Sequence, residues 1–384
     1  MFRTRRSRRD VLLLGSLLAA PTLLTPDSAG PNLLTSKPQD NPDDEASRLV
    51  AEAVVAPWMA AHGASGAVLG VMQGGKPILK WAYGRRALDD PARPDADTIF
   101  HIASVAKAVT GHAVLLLVQD GRVRLDAPAI SYLTELPPQW SPITVRQFLC
   151  HVSGIRNVGA FFGNDWDAAM AQARAAPVQP PGLVQHYVNF NYAVIGKLIE
   201  RVSGMAYADF VQARIFDPLK MTRTFVGRTV HPNQATGYLP SRQGWFTPLE
   251  TRMGADWWPP AGWMQSSLND VMAFVAAVAA RRLVREPVWS DGMRAYGPRM
   301  QGAAGWFSKT RDGQPTWEKL GRIAGFSADT EFNARGDGIV MMWNCQTYRD
   351  DSIVVRSALR RRLLGLGTGL VAGQTSSVIA EQRG

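Results

Sequence analysis

Strand-like segments lie near both ends of this chain, and a long helical stretch separates them. On the N-terminal side, residues 67–72 and 77–83 are apolar runs joined by Gln73-Gly74-Gly75-Lys76, the pattern of a hairpin closed by a glycine turn. On the C-terminal side, residues 316–320, 326–332 and 338–343 are short, apolar or alternating, and joined by turns that contain glycine. A lone hairpin is marginal in water, so the two groups must find each other. The expected fold is therefore α+β: an antiparallel sheet built from both chain ends and flanked by helices, with a mostly helical lobe over about residues 110–285. Helical periodicity marks residues 44–62, with Leu49, Val50, Ala53 and Val54 on one face, and then 145–151, 191–202, 207–216, 267–280 and 351–364. The domain is expected over 44–365, with a loosely ordered tail over 366–384.

Composition matters at three points. A hydrophobic content of 46% over 384 residues is ample for a large core. The formal charge of +10 raises nucleic acid as a partner. However, Arg3, Arg5, Arg6, Arg8 and Arg9 crowd the first residues, and the remaining basic side chains are scattered apart from Arg356 and Arg360 to Arg362. No basic stripe interleaved with aromatics exists, so no nucleic-acid partner is expected. Two cysteines, Cys150 and Cys345, could pair in an oxidising compartment, although Cys150 in QFLCHVSGI reads as a small buried residue. Neither a metal-ligand cluster nor a dinucleotide or phosphate loop is present in the sequence, so no metal and no organic cofactor is expected.

The N-terminus reads as an address. Ser7-Arg8-Arg9-Asp10 is a twin-arginine pattern, and the apolar run of residues 11–24 behind it is too short for a membrane span. Residues 1–30 are expected to form a twin-arginine-type signal with small residues at Ser28-Ala29-Gly30, followed by a Pro/Asn/Asp-rich linker over 31–43. No cysteine follows the run to carry a lipid, so no stable membrane anchor is expected. The destination implied is the periplasm or the cell exterior.

Three short motifs carry chemistry. In Ser104-Val105-Ala106-Lys107, the serine and lysine stand three apart at the start of an apolar helix and share a face. The positive end of a helix dipole disfavours an ammonium there, and a neutral amine could take the serine proton. Tyr187-Val188-Asn189 places a phenol and a carboxamide on one side of an extended segment. A phenol beside an ammonium can shuttle protons, and the asparagine can hold an amide. Lys319-Leu320-Gly321 ends a strand. A second lysine would lower the pKa of Lys107 by repulsion, and Gly321 would let a substrate approach the strand backbone.

In their order and surroundings these motifs resemble the class C β-lactamase and penicillin-binding-protein group of serine hydrolases, which includes esterases and D-amino-acid peptidases. The likeness runs from about residue 45 to 365. It rests on IFHIASVAKAVTGHAVLLLVQDGRVRLDAPAISYL, ITVRQFLCHVSGI, YVNFNYAVIGKLIERVSG, IFDPLKMTRTFV, PPAGWMQSSLNDVMAFV and KLGRIAGFSADTEF. The resemblance implies an acyl-enzyme on Ser104, activated by Lys107, with Tyr187 relaying protons, Asn189 contacting a substrate amide and Lys319 setting the electrostatics. It also implies an oxyanion hole from the backbone N–H groups of Ser104 and Arg322. The expected partner is a small molecule or peptide substrate.

The chain departs from that pattern at Leu320. Relatives that recognise a substrate carboxylate carry a hydroxyl residue there, and leucine cannot donate. Arg322 is the candidate replacement, and Trp257, Trp258 and Trp263 are candidates for an apolar acyl pocket. A lactam, a D-alanyl peptide and an ester remain open as substrates, as does an acylatable sensor with little turnover.

Overall fold

A computed structural model of the chain describes residues 45–156, 166–227, 229–240, 246–248, 259–323, 325–346 and 349–365. The expected signal, linker and tail, together with Trp257 and Trp258, lie outside the described residues.

The described chain opens with helix α1 (Glu45–His62), the strands β1 (Gly66–Gln73) and β2 (Lys76–Gly84), and the short β3 (Phe100–His101). Helices α2 (Ala106–Gln119), α3 (Val145–Leu149), α4 (Trp166–Ala175), α5 (Asn189–Ser203), α6 (Tyr207–Val211) and α7 (Asp217–Leu219) fill the middle. Short strands β4 (Phe225–Val226), β5 (Tyr238–Pro240), β6 (Phe246–Pro248) and β7 (Met264–Ser266) precede helices α8 (Leu268–Ala279) and α9 (Val288–Met293). The C-terminal side supplies β8 (Gly302–Ala303), β9 (Trp306–Arg311), β10 (Gln314–Ile323), β11 (Phe326–Asn333), β12 (Gly338–Trp343) and α10 (Arg349–Leu363).

Among the described residues the main sheet has seven antiparallel strands in the order β2-β1-β12-β11-β10-β9-β8. The two chain ends meet at its centre, with Ala67 opposite Trp343 and Met72 opposite Gly338. This is the α+β sheet that the sequence implies. Gly74 and Gly75, at φ 57° and 77°, close the β1–β2 hairpin in the left-handed conformations that a two-residue turn needs. Strands β8 and β9 have no counterpart in the sequence reading, because Trp306–Arg311 (WFSKTR) mixes polar and apolar residues without a clear period.

Helices cover both faces of the sheet. Ala67, Leu69 and Val71 join Ile339, Met341 and Trp343 in one core with α1 and α10. Val68 and Met72 join Val340 and Met342 in the larger core with α2, α5 and α8. A strand buried on both faces reads as a continuous apolar run, which is why GAVLGVM shows no alternation. One detail differs from expectation in α1. The stripe facing the sheet is Ala51, Val55 and Met59, at 0%, 1% and 2% exposure, whereas Leu49 is 53% exposed. Four-residue spacing of small and flexible side chains, rather than the most aliphatic face, meets the strands. Cys150 and Cys345 are both buried and free, so the pairing that an oxidising compartment would permit is not made.

The α10 side of β10 and β11 buries charge. Glu318, Asp329 and Glu331 point there, met by Arg311, Arg356 and Arg360. Arg356 Nη1 lies 3.1 Å from Glu331 Oε2, and Arg356 Nε lies 3.4 Å from Asp329 Oδ2. These carboxylates hold Arg356 protonated against burial. Breaking a buried ion network by removing one partner costs about 3–5 kcal/mol, because the remaining charges stay desolvated. Arg356→Ala is therefore expected to lower unfolding free energy in urea by about that amount. A loss under about 1 kcal/mol, the range of exposed pairs, would show that the network does not hold α10 to the sheet.

Candidate active site

Four elements converge on Ser104. The residue sits in the single 3-10 turn Ala103–Val105, immediately before α2. Its neighbour Ala103 is forced to φ 47°, the left-handed region that costs a residue with a Cβ about 1–2 kcal/mol. That strained corner is pinned from both sides. Ile102 N–H donates to Met264 O at 3.0 Å where β3 pairs β7. On the other side β10 packs against the corner so closely that a Cβ on Gly321 would lie 2.3 Å from Ile102 O and 3.1 Å from Ser104 N. A side chain at position 321 would therefore collide with the turn that carries Ser104, a reason for glycine there that the sequence did not reveal.

Lys107 follows on the first turn of α2, fully buried. Its Nζ lies 3.2 Å from Ser104 Oγ and 2.8 Å from Asn189 Oδ1, and it also donates to the carbonyl of Ala261. The asparagine and the carbonyl can only accept. A neutral amine spends its two hydrogens on them and is left with a lone pair for the serine hydroxyl. Burial pushes the Lys107 pKa well below its ordinary value, and the nearby Lys319 pushes it further in the same direction. The sequence reading gave that work to Lys319 alone, but desolvation comes first. The Ala261 carbonyl is held in turn by Thr110, whose Oγ1 lies 2.7 Å from the adjacent Pro260 O and 2.6 Å from Tyr207 OH.

Tyr187 arrives on an extended segment just before α5. Its hydroxyl donates to Ser104 Oγ at 2.8 Å. The ammonium positions of Lys107 and Lys319 each lie 5.0 Å from its ring centroid, and Lys319 is equally close to the ring of Phe307 on β9. Asn189 opens α5, with its side-chain oxygen committed to Lys107. So Ser104, Lys107, Tyr187, Asn189, Lys319 and Gly321 come together as the sequence order suggested. Sequence reasoning missed Phe307, the Ala261 carbonyl and His151. The last of these stacks on Tyr187 with ring centroids 4.3 Å apart.

The Arg322 side chain is the exception. Side chains alternate along a strand, so Lys319 and Gly321 face Ser104 while Glu318 and Arg322 face α10. The Arg322 guanidinium pairs with the buried Asp329, donates to Ser352 Oγ at 2.8 Å and lies over Trp343. Its side chain cannot replace the missing hydroxyl as a carboxylate ligand. Trp263 is half-buried and meets His101 edge-on. The β9 strand accompanies β10 only as far as Glu318, opposite Phe307, so Lys319 to Ile323 have a strand neighbour on the β11 side alone among the described residues.

This architecture is shared with solved proteins. A penicillin-binding protein homologue from Pyrococcus abyssi, described as octameric, superposes with a TM-score of 0.74 at 23% identity, over 83% of this chain and 77% of its own. A D-stereospecific amidohydrolase from Streptomyces sp. superposes at 0.68 and 24% identity, over 85% of this chain and all of its own. In sequence, Penicillin-binding protein 4* of Bacillus subtilis (strain 168) is 28% identical over 189 residues, which is 46% of this chain and 41% of that protein. The chain thus spans less than half the length of the curated relatives that it matches. The model of the Beta-lactamase family matches residues 51–360, and the chain belongs to that family.

Burying Lys107 has a consequence for stability. An amine whose folded pKa lies below its unfolded value of about 10.5 disfavours folding wherever the unfolded chain holds the extra proton. Stability therefore rises as pH climbs from the folded value toward 10.5. Lys107→Met is expected to be more stable than the parent at pH 7. The gap should narrow toward pH 10 by up to about 1.4 kcal/mol per unit, read by urea unfolding across pH. A gap that does not change with pH would mean that the amine is charged in the folded state.

Proposed function

We propose that the protein is a serine hydrolase that forms an acyl-enzyme on Ser104 and releases it to water. The observation that carries this reading is the double contact of Ser104 Oγ, with Lys107 Nζ at 3.2 Å and Tyr187 OH at 2.8 Å. As Oγ bonds to a carbonyl carbon, the Lys107 lone pair takes its proton, and Tyr187 gives a proton to the departing amine or alkoxide. In the second half the pair takes a proton from water and returns one to Oγ. The oxyanion forms beside the Ser104 N–H, at the N-terminal end of α2, where the helix dipole favours negative charge.

The substrate that this site suits is an amide or ester without a free carboxylate next to the scissile bond, such as a D-amino-acid amide or a short ester. By the alternation along β10, Leu320 lies on the α10 face opposite Asp329, and the Arg322 side chain is paired with Asp329, so neither offers a donor to a carboxylate beside Ser104. The half-buried Phe307 and Trp263 offer apolar surface instead. The amidohydrolase fold neighbour makes D-amino-acid amides a natural choice of probe. Export is part of the proposal, supported by the Arg8-Arg9 pair and the apolar run behind it. A fusion of residues 1–43 to a twin-arginine export reporter is expected to reach the periplasm, and replacing both arginines by lysine should block it.

The deciding experiment is intact mass and turnover with three probes: a D-phenylalanine amide, a short aryl ester and benzylpenicillin. A transient adduct on Ser104 with at least about 10²-fold higher kcat/KM for the amide or ester than for penicillin is expected, all of it lost in Ser104→Ala. Efficient penicillin turnover would overturn the substrate assignment and leave a lactamase. A penicillin adduct that never clears, with no turnover of any probe, would leave an acylatable sensor. Turnover surviving in Ser104→Ala would overturn the nucleophile.

A further inference from the structure

His151 lies outside the reacting atoms, yet the segment that carries Tyr187 hangs on it. The residue follows α3 in a left-handed conformation, φ 60°, with its side chain buried. Its carbonyl accepts from His186 N–H at 2.9 Å, and its ring Nδ1 accepts from Val188 N–H at 3.2 Å. One residue thus grips the backbone on both sides of Tyr187, while its ring lies against the phenol at 4.3 Å and 29°. The grip is braced from below. Asn191 Nδ2 sits 3.3 Å from the same Nδ1, and Asn191 Oδ1 accepts from Ser153 Oγ at 2.8 Å.

The partners decide the state of the ring. A backbone N–H can only donate, so Nδ1 must present a lone pair and the proton of a neutral ring belongs on Nε2. A cationic ring would set an N–H against an N–H and release the segment. Burial keeps the ring neutral, and the neighbouring Lys319, Lys107 and His186 push its pKa in the same direction.

We propose that His151 is the positioning residue of Tyr187, acting through a δ-position acceptor that locks the Tyr187–Asn189 segment so that the phenol points at Ser104 Oγ. The proposal rests on the reading of Tyr187 as the proton relay. It separates the acceptor from the ring, and substitutions can do the same. Asparagine carries an acceptor close to the Nδ1 position and tolerates positive φ. Glutamine moves the amide one bond further out, and phenylalanine keeps a ring with no acceptor. A displacement of about 1 Å at a reacting group can cost about 10²-fold in rate.

The test measures kcat and KM separately on the aryl ester, or whichever probe Ser104 turns over best, with thermal unfolding as a check on each variant. His151→Asn is expected to lose no more than about fivefold in kcat. His151→Gln and His151→Phe should each lose about 50-fold or more, with KM within about threefold of the parent. If the phenylalanine variant does not fold, the glutamine variant decides. Gln or folded Phe within fivefold of the parent would overturn the proposal. So would an Asn variant that falls as far as Gln, or a loss that resides in KM. Tyr187→Phe, measured beside them, separates the two readings. If it is inactive while the His151 variants are unimpaired, only the positioning role fails. If it is fully active, the relay reading fails and the positioning role with it.

Discussion

The amine of Lys107 lies in the interior among Ser104 Oγ, Asn189 Oδ1 and the Ala261 carbonyl, and each of these comes from a different part of the fold. Everything else about the site follows from keeping that group dry and fixed. Desolvation favours the neutral amine, which the proposed mechanism uses as a base, but only if the surroundings neither admit water nor move to solvate a proton. That requirement explains why α2 is buried over nearly its whole length and why the Pro259–Ala261 turn is tied to α2 by Thr110. It also explains why the corner at Ala103 tolerates a strained backbone. The alternative, relaxing the corner, would withdraw Ser104 from the amine. Strain at such a position persists when packing over-determines it, and here the β7 pairing and the close approach of Gly321 do so.

Strand β10 serves two purposes through its two faces. Toward Ser104 it offers Lys319 and the bare backbone of Gly321. Toward α10 it offers Glu318, with Asp329 and Glu331 beside it on β11, all held by arginines. An edge left open for a ligand on one side cannot also rely on a strand partner there. The ion network and the β11 ladder supply the stiffness that β9 stops providing after Glu318. Two of the basic residues near the C-terminus are part of this anchoring: Arg356 and Arg360 are only 2% and 4% exposed.

The sequence exposes whatever is local. Ser104 and Lys107 share a face because three residues separate them, and Tyr187 with Asn189 is legible as an extended pair before a helix. The meeting of the two ends in one sheet is legible from apolar runs bounded by glycine turns. What it conceals depends on tertiary parity and on long-range partners. Arg322 could have been excluded by counting, since three positions from Lys319 along a strand lies the opposite face. The draw of Asp329, seven residues on across a hairpin, seals that orientation. His151 could not be found that way, because its role comes from Val188 and Asn191, about 40 residues away in the chain. For α1, hydrophobicity alone picked a face only partly turned to the core: Val54 packs against it, while Leu49 and Ala53 are exposed. Contact with a sheet favours Ala51, Val55 and Met59 at regular spacing over the bulkier Leu49.

The electrostatics of the centre bear on which half of an acyl transfer is hard. Burial drives both Lys107 and His151 toward neutrality, and Lys319, 5.0 Å from the Tyr187 ring centroid, pushes each of them further in the same direction. Lys319 lies beside the phenol, and the phenol keeps the serine oxygen as its hydrogen-bond partner at 2.8 Å. In the proposed reaction, acylation of Ser104 would leave a protonated Lys107 and a deprotonated Tyr187 facing the ester. A base is then present at the carbonyl without any rearrangement of the chain, which is the condition for water to finish the reaction. In the proposed mechanism that base stays aimed after the leaving group has gone only if the buried contacts behind Tyr187 hold, and these are the His151 ring and its bond from Val188 N–H.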